Sequence, residues 1–164
     1  MIRIILNYSL FFFLPIFLQL FVFNNIQLSG YINPYVYVII ILLLPYETPG
    51  GVLLFIAFVV GFVIDIAMNS LGMHSSATLF MAFLRPYILS SLTTRDDVER
   101  KGKPTMALNG VTWSVRYTLI MVFAHHFFLF YLEVFSLIGF FSTLWRVIVS
   151  SLFTSIFILI VQYY

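Results

Sequence analysis

The sequence contains no cysteine. That removes disulfides, thiolate metal sites and cysteine nucleophiles together, and it leaves the redox compartment open. Charge is nearly as scarce: eight Lys or Arg and six Asp or Glu make up only 9% of 164 residues, where a soluble domain carries about 25%. Fourteen charges do not cover the surface of a 19.0 kDa fold, so a water-soluble domain is excluded. The formal net charge of +2 is too small to point to nucleic acid. What is present is apolar, with 62% hydrophobic residues, 20% aromatic residues and a mean hydropathy of +1.08. The chain therefore reads as an all-α polytopic membrane protein. At about 20 apolar residues per span it holds at most about six spans, which leaves little chain for an extramembrane domain.

Half of the charges fall in one stretch: Arg95, Asp96, Asp97, Glu99, Arg100, Lys101 and Lys103. The others are the singletons Arg3, Glu47, Asp65, Arg85, Arg116, Glu133 and Arg146. The chain thus divides into an apolar half, one polar loop at 93–105, and a second apolar half. The apolar segments lie at about 4–23, 31–45, 52–67, 73–92, 113–134 and 140–161. The first follows Arg3 without a small-residue cleavage site, so it reads as a retained helix rather than a signal peptide. The second is about ten residues between Pro34 and Pro45; it spans only if extended back through 30–33, and is otherwise re-entrant or strongly tilted. Pro45, Pro49, Gly50 and Gly51 mark the turn that follows. The stretch 106–134 is too long for one span, so its first turns belong at the interface, with Trp113 and Tyr117 at headgroup level.

Lysine and arginine in short loops set orientation. The 93–105 loop holds four of the eight basic residues and is expected in the cytoplasm. Counting four segments back and two forward then places both termini inside, in agreement with Arg3. The outer loops at 24–33, 68–72 and 132–139 contain no lysine or arginine.

Few residues offer chemistry. Asp65 lies about 13 residues into its span, roughly 20 Å from the cytoplasmic end, and a carboxylate at that depth needs a partner or a wet cavity. Two readings stand: a buried aspartate that caps the following turn and fixes packing, or an ionisable relay or ion site. Gly61 sits one turn earlier, Gly72 and His74 just beyond, and Arg146 in the last span is the expected partner. Arg85 and Arg116 are expected to snorkel toward the cytoplasmic face, with Pro86 kinking the helix beside Arg85. The His125-His126 pair does not present both rings to one ion, because adjacent helical residues point about 100° apart; these read as interfacial histidines among aromatics. Ser142, Ser150 and Ser151 read as small residues at helix contacts. No nucleophile–base, metal or cofactor constellation appears, so no enzyme activity and no cofactor are expected.

Several ordered motifs carry a family resemblance. They are Asn33-Pro34-Tyr35, then Leu44 through Gly50, Gly61-x-x-x-Asp65, Leu71-Gly72-Met73-His74, and Phe83-Leu84-Arg85-Pro86. Together with six short spans they resemble the rod shape-determining MreD family in its Bacteroidetes-type form, over nearly the whole chain. The resemblance implies a non-enzymatic inner-membrane component of the cell-elongation machinery that supports lateral peptidoglycan synthesis and cell shape. Its implied partners are MreC and, through it, the MreB filament, RodA and a penicillin-binding transpeptidase. It also implies a fold similar to the substrate-binding S components of energy-coupling-factor transporters. From that comes an alternative function, a vitamin-binding transporter subunit.

Overall fold

The computed structural model describes residues 2–25, 32–92, 102–136 and 138–163, with side chains from Leu10 onward. The charged run 95–101, Gly30, and the side chain of Arg3 lie outside the described residues. Among those described, the regular elements are all helical. They are α1 (Ile2–Phe21), a one-turn α2 (Ile39–Leu42), α3 (Gly50–Met68), α4 (Met73–Leu92), a one-turn α5 (Met106–Asn109), α6 (Val111–Val134) and α7 (Phe140–Tyr163). Three of them, α3, α6 and α7, are long and apolar enough to cross a membrane.

Two helical hairpins form the frame. α3 packs on α4, α6 on α7, and the hairpins join through α4 and α6. The turn between α3 and α4 needs left-handed backbone at Asn69 (φ 55°), Leu71 (φ 47°) and Gly72 (φ 88°). Gly110, at φ 81°, separates α5 from α6, so the 106–134 stretch breaks there and the long helix begins at Val111. α4 runs unbroken through Pro86.

The segment 31–45, which the sequence leaves open between a span and a re-entrant or tilted piece, does not form one continuous helix over its described residues 32–45. From 33 to 35 the chain is irregular, Val36–Val38 is a turn of 3₁₀ helix, and only Ile39–Leu42 is α-helical. Local chemistry explains the break. Pro34 disfavours helix in the residue before it, the run from Val36 to Ile41 is largely β-branched, and Pro45 ends any helix that starts. Yet every residue from Tyr35 to Leu44 is buried. This central segment lies among α1, α3, α4 and α7, and its neighbours form the core.

α3 and α4 pass close to each other at Gly61. A Cβ there would sit 2.5 Å from Ser75 Cα and 2.7 Å from the His74 carbonyl oxygen, both backbone atoms that cannot step aside. Gly61 is therefore an internal contact, not part of a surface for partners. Gly61→Ala is expected to lower stability by about 1–3 kcal/mol through overpacking, read as a reduced Tm in detergent. Gly51→Ala, where nothing lies within 4 Å, is expected to leave Tm unchanged or slightly raised. Equal Tm for Gly61→Ala and the parent would contradict the close crossing.

Candidate functional site

A segment that is buried but not helical has backbone groups that its own hydrogen-bond ladder leaves open. Here the partners are side chains from other elements. Ser150 Oγ on α7 accepts the Asn33 N–H at 3.2 Å, and Thr154 Oγ1 accepts the Tyr35 N–H at 3.1 Å. Gln19 on α1 grips both sides of the bend: its Nε2 donates to the Pro34 carbonyl at 3.2 Å, and its Oε1 accepts the Val36 N–H at 2.8 Å. Lower down, the Tyr117 hydroxyl on α6 donates to the Leu42 carbonyl at 3.1 Å. Arg85 on α4 donates through a terminal guanidinium nitrogen to the Leu44 carbonyl and through Nε to the Tyr117 oxygen. Six backbone groups are satisfied in this way. Left unbonded, each would cost about 1–3 kcal/mol. The total would rival the roughly 5–15 kcal/mol that a whole domain has to spare.

The Tyr37 side chain is held as firmly as that backbone. Its hydroxyl lies 3.0 Å from His74 Nδ1 on α4 and 2.9 Å from His125 Nε2 on α6. Tyr35 packs edge-on or tilted against His74, His126 and Phe130, with ring centroids 5.0, 5.4 and 6.1 Å away. His126 Nδ1 is 2.9 Å from the Val122 carbonyl, which only accepts, so this nitrogen carries the proton. Its Nε2 is then free to accept from Thr154 Oγ1 at 3.2 Å, and the same Thr154 oxygen receives Tyr35 N–H. Neutral His126 completes this chain of bonds.

Asp65 turns out to be a brace for the neighbouring helix. Its Oδ1 accepts from Ser70 Oγ at 2.6 Å and from His74 N–H at 2.9 Å; its Oδ2 accepts Ser75 N–H at 2.9 Å and Ser75 Oγ at 2.5 Å. The first N–H groups of any helix lack internal partners, and an anion there also meets the positive end of the helix dipole. α3 thus supplies, from its last turn, the N-terminal cap of α4. Gly72 shapes the turn that makes this reach possible.

Three expectations are corrected by these positions. Arg146 pairs with Glu133, Nη1 to Oε2 at 3.1 Å, and stacks over Phe130 at 4.1 Å; it does not pair with Asp65, whose oxygens already accept four bonds. Arg85 is 1% exposed and turns inward to the Leu44 carbonyl, so it does not snorkel. Tyr117 is buried as well, and Trp113 Nε1 bonds the Leu92 carbonyl at 3.2 Å. His125 and His126 are fully buried, not interfacial. Ser150 and Ser151 also face inward, whereas Ser142 is exposed and bonds the Gly139 carbonyl. Pro86 is exposed beside the inward Arg85.

Gln19, Tyr37 and Thr154 did not stand out in the sequence. Gln19 had a signal, being a lone amide within the apolar run of α1. Thr154 had none, since a threonine in a helix ordinarily bonds its own backbone. Among the described residues no group of three or more His, Asp or Glu stands where it could hold a metal ion.

Both Asp65 oxygens face only donors, so an asparagine amide fits half the site. Asp65→Asn is expected to cost about 1–3 kcal/mol, and Asp65→Leu, which orphans two backbone N–H groups, to cost more and to impair folding. Thermal unfolding of the two variants checks this order, and a Leu variant as stable as the parent would contradict it. No known protein family, curated protein or solved structure matches this chain.

Proposed function

We propose that this chain is a non-enzymatic, multi-pass component of the inner membrane, of the MreD kind, that supports cell-wall elongation by binding partner proteins. The observation that carries the reading is the use made of the interior polar side chains. Gln19, Arg85, Tyr117, Ser150 and Thr154 hold the backbone of the central segment, and Asp65 holds the start of α4. They are committed to the fold rather than presented to a substrate.

The motifs behind the MreD resemblance also meet one another. Asn33-Pro34-Tyr35 opens the central segment, Leu44 closes it against Arg85, and Gly61, Asp65 and His74 make the contact between α3 and α4. Motifs far apart in the chain that bond to each other fit one shared architecture. Six membrane segments follow on this reading: α1, the central segment, α3, α4, α6 and α7. Both termini and the 93–105 loop then face the cytoplasm. Activity resides in lipid-facing surfaces such as the α3 ridge of Phe55, Phe58, Phe62 and Ile66, all exposed. Helix association in lipid depends on close packing, because lipid is as apolar as the helix. The partners on this reading are MreC and, through it, MreB, RodA and the penicillin-binding transpeptidase.

Depletion is expected to round or swell rod-shaped cells, and the detergent-purified protein is expected to retain MreC. If cells keep their shape but lose uptake of one vitamin, and an ATPase module with bound vitamin copurifies, the S-component reading replaces this one. Topology is checked separately with single cysteines at Asn69, Asp97 and Ser136 and an impermeant thiol reagent on intact cells. Labelling is expected at Asn69 and Ser136 only; labelling at Asp97, or protection of the other two, would overturn the orientation.

A further inference from the structure

α1 packs on the central segment and on α3. Gln19, the one polar residue of its Leu10–Phe21 part, commits its amide to Asn24, Pro34 and Val36. Between α1 and α7 a cleft of about 140 Å³ stays open. Val36 and Ile39 of the central segment form its floor, and Pro15 and Leu18 of α1 line it together with Ile158 of α7. At one end Phe23 meets Phe157 edge-on, with ring centroids 5.0 Å apart. Every residue that lines the cleft is apolar.

The rim differs from the floor. Val36, Ile39 and Ile158 are buried, whereas Leu14, Phe157 and Val161 are exposed. The mouth is therefore continuous with the outer surface of the bundle. That surface is apolar on both flanks, with Phe13 and Phe17 of α1 and Ile160 of α7 all exposed.

Size and polarity decide what can enter. A buried water needs about two to four polar partners, and the lining offers none. A polar headgroup would lose its hydrogen bonds there. A helix, whether of a second copy or of another protein, is about 10–12 Å across, too thick for a cleft of this volume. An apolar cavity of about 150 Å³ lined by Leu, Ile and Phe in another protein stays dry and takes benzene or xenon. The volume thus suits a narrow apolar guest. In a bilayer, the apolar molecules at the mouth are acyl chains.

We propose, resting on the membrane reading given above, that the cleft between α1 and α7 binds one acyl chain of a membrane phospholipid. Atoms beside a void lack dispersion partners on one side, and the chain supplies those contacts to Val36 and Ile39. The bilayer thereby completes the core beside the bend that Gln19 holds, and α1 is joined to α7 through lipid. Nothing in the lining reads the headgroup, so the site selects a hydrocarbon chain and not a lipid class.

The test reconstitutes the whole chain in nanodiscs of phosphatidylcholine that carries a diazirine in the middle of one acyl chain. After illumination, the labelled residues are located by peptide mass spectrometry. Label is expected on the exposed α3 residues Phe55 and Phe62, which any surrounding lipid touches. It is also expected on Val36 and Ile39, which only an inserted chain reaches. In Leu18→Phe, whose ring fills the cleft, the label on Val36 and Ile39 should be lost while that on α3 persists. If this variant does not fold, Val161→Phe at the exposed rim is read in its place, with the same expectation. Label on α3 without label on Val36 and Ile39 would overturn the proposal, the cleft then being closed or filled by a protein side chain. Floor labelling equal in the parent and the filled variant would overturn it as well. No label on α3 would overturn the membrane reading itself, and the site with it.

Discussion

Backbone N–H and C=O groups cannot be left bare where there is no water, so a buried stretch without its own ladder depends on other parts of the protein for the missing partners. The central segment is held in this way. Its residues 32–38 follow no α-helical ladder, yet from Tyr35 onward they are buried. The consequences spread to the neighbouring elements. α1 must place Gln19 at the bend, α7 must bring Ser150 and Thr154 beside the irregular part, and α4 and α6 must deliver Arg85 and Tyr117 to the lower end. Each of these polar side chains would be costly inside an apolar bundle without its backbone partner, so side chains and backbone solve each other's problem.

The same logic ranks the close crossing of α3 and α4. His74 reaches Tyr37 only if α4 begins at the right depth, and Asp65 sets that start by accepting the His74 and Ser75 amides. Gly61 allows the two helices to come near enough for this reach. The glycine, the aspartate and the histidine are thus successive steps of one geometric requirement. Ionisable groups inside an apolar bundle are expected to be paired; here Asp65 and Arg85 are bonded into the architecture.

Much of the frame was legible in the sequence because long apolar runs between Pro, Gly and Asn have few alternatives. The bounds of α4, the start of α7 and the turns beside them agree with the runs as read. What was not legible depends on pairing between distant residues. Asp65 was legible as a cap of the following turn, which it is, but not by partner, because the groups it binds include backbone amides, which every residue has. Arg85 reads as a snorkelling cation when its helix is taken alone, and only the presence of the Leu44 carbonyl turns it inward. The central segment was open between a tilted span and a re-entrant loop, since ten buried residues between two prolines satisfy neither length rule. Its solution, an irregular entry followed by a 3₁₀ turn and a single α-helical turn, depends on side chains more than a hundred residues away.

The most direct test of this account is hydrogen exchange of the backbone amides at Asn33, Tyr35 and Val36 in lipid nanodiscs. If side chains from α1 and α7 hold this non-helical stretch at the centre of the fold, these amides should exchange as slowly as those in the middle of α3 and α4. Replacing Gln19 with Leu should release Val36 first. Exchange of all three as fast as that of the exposed turn residue Leu71 in the parent protein would contradict the central claim.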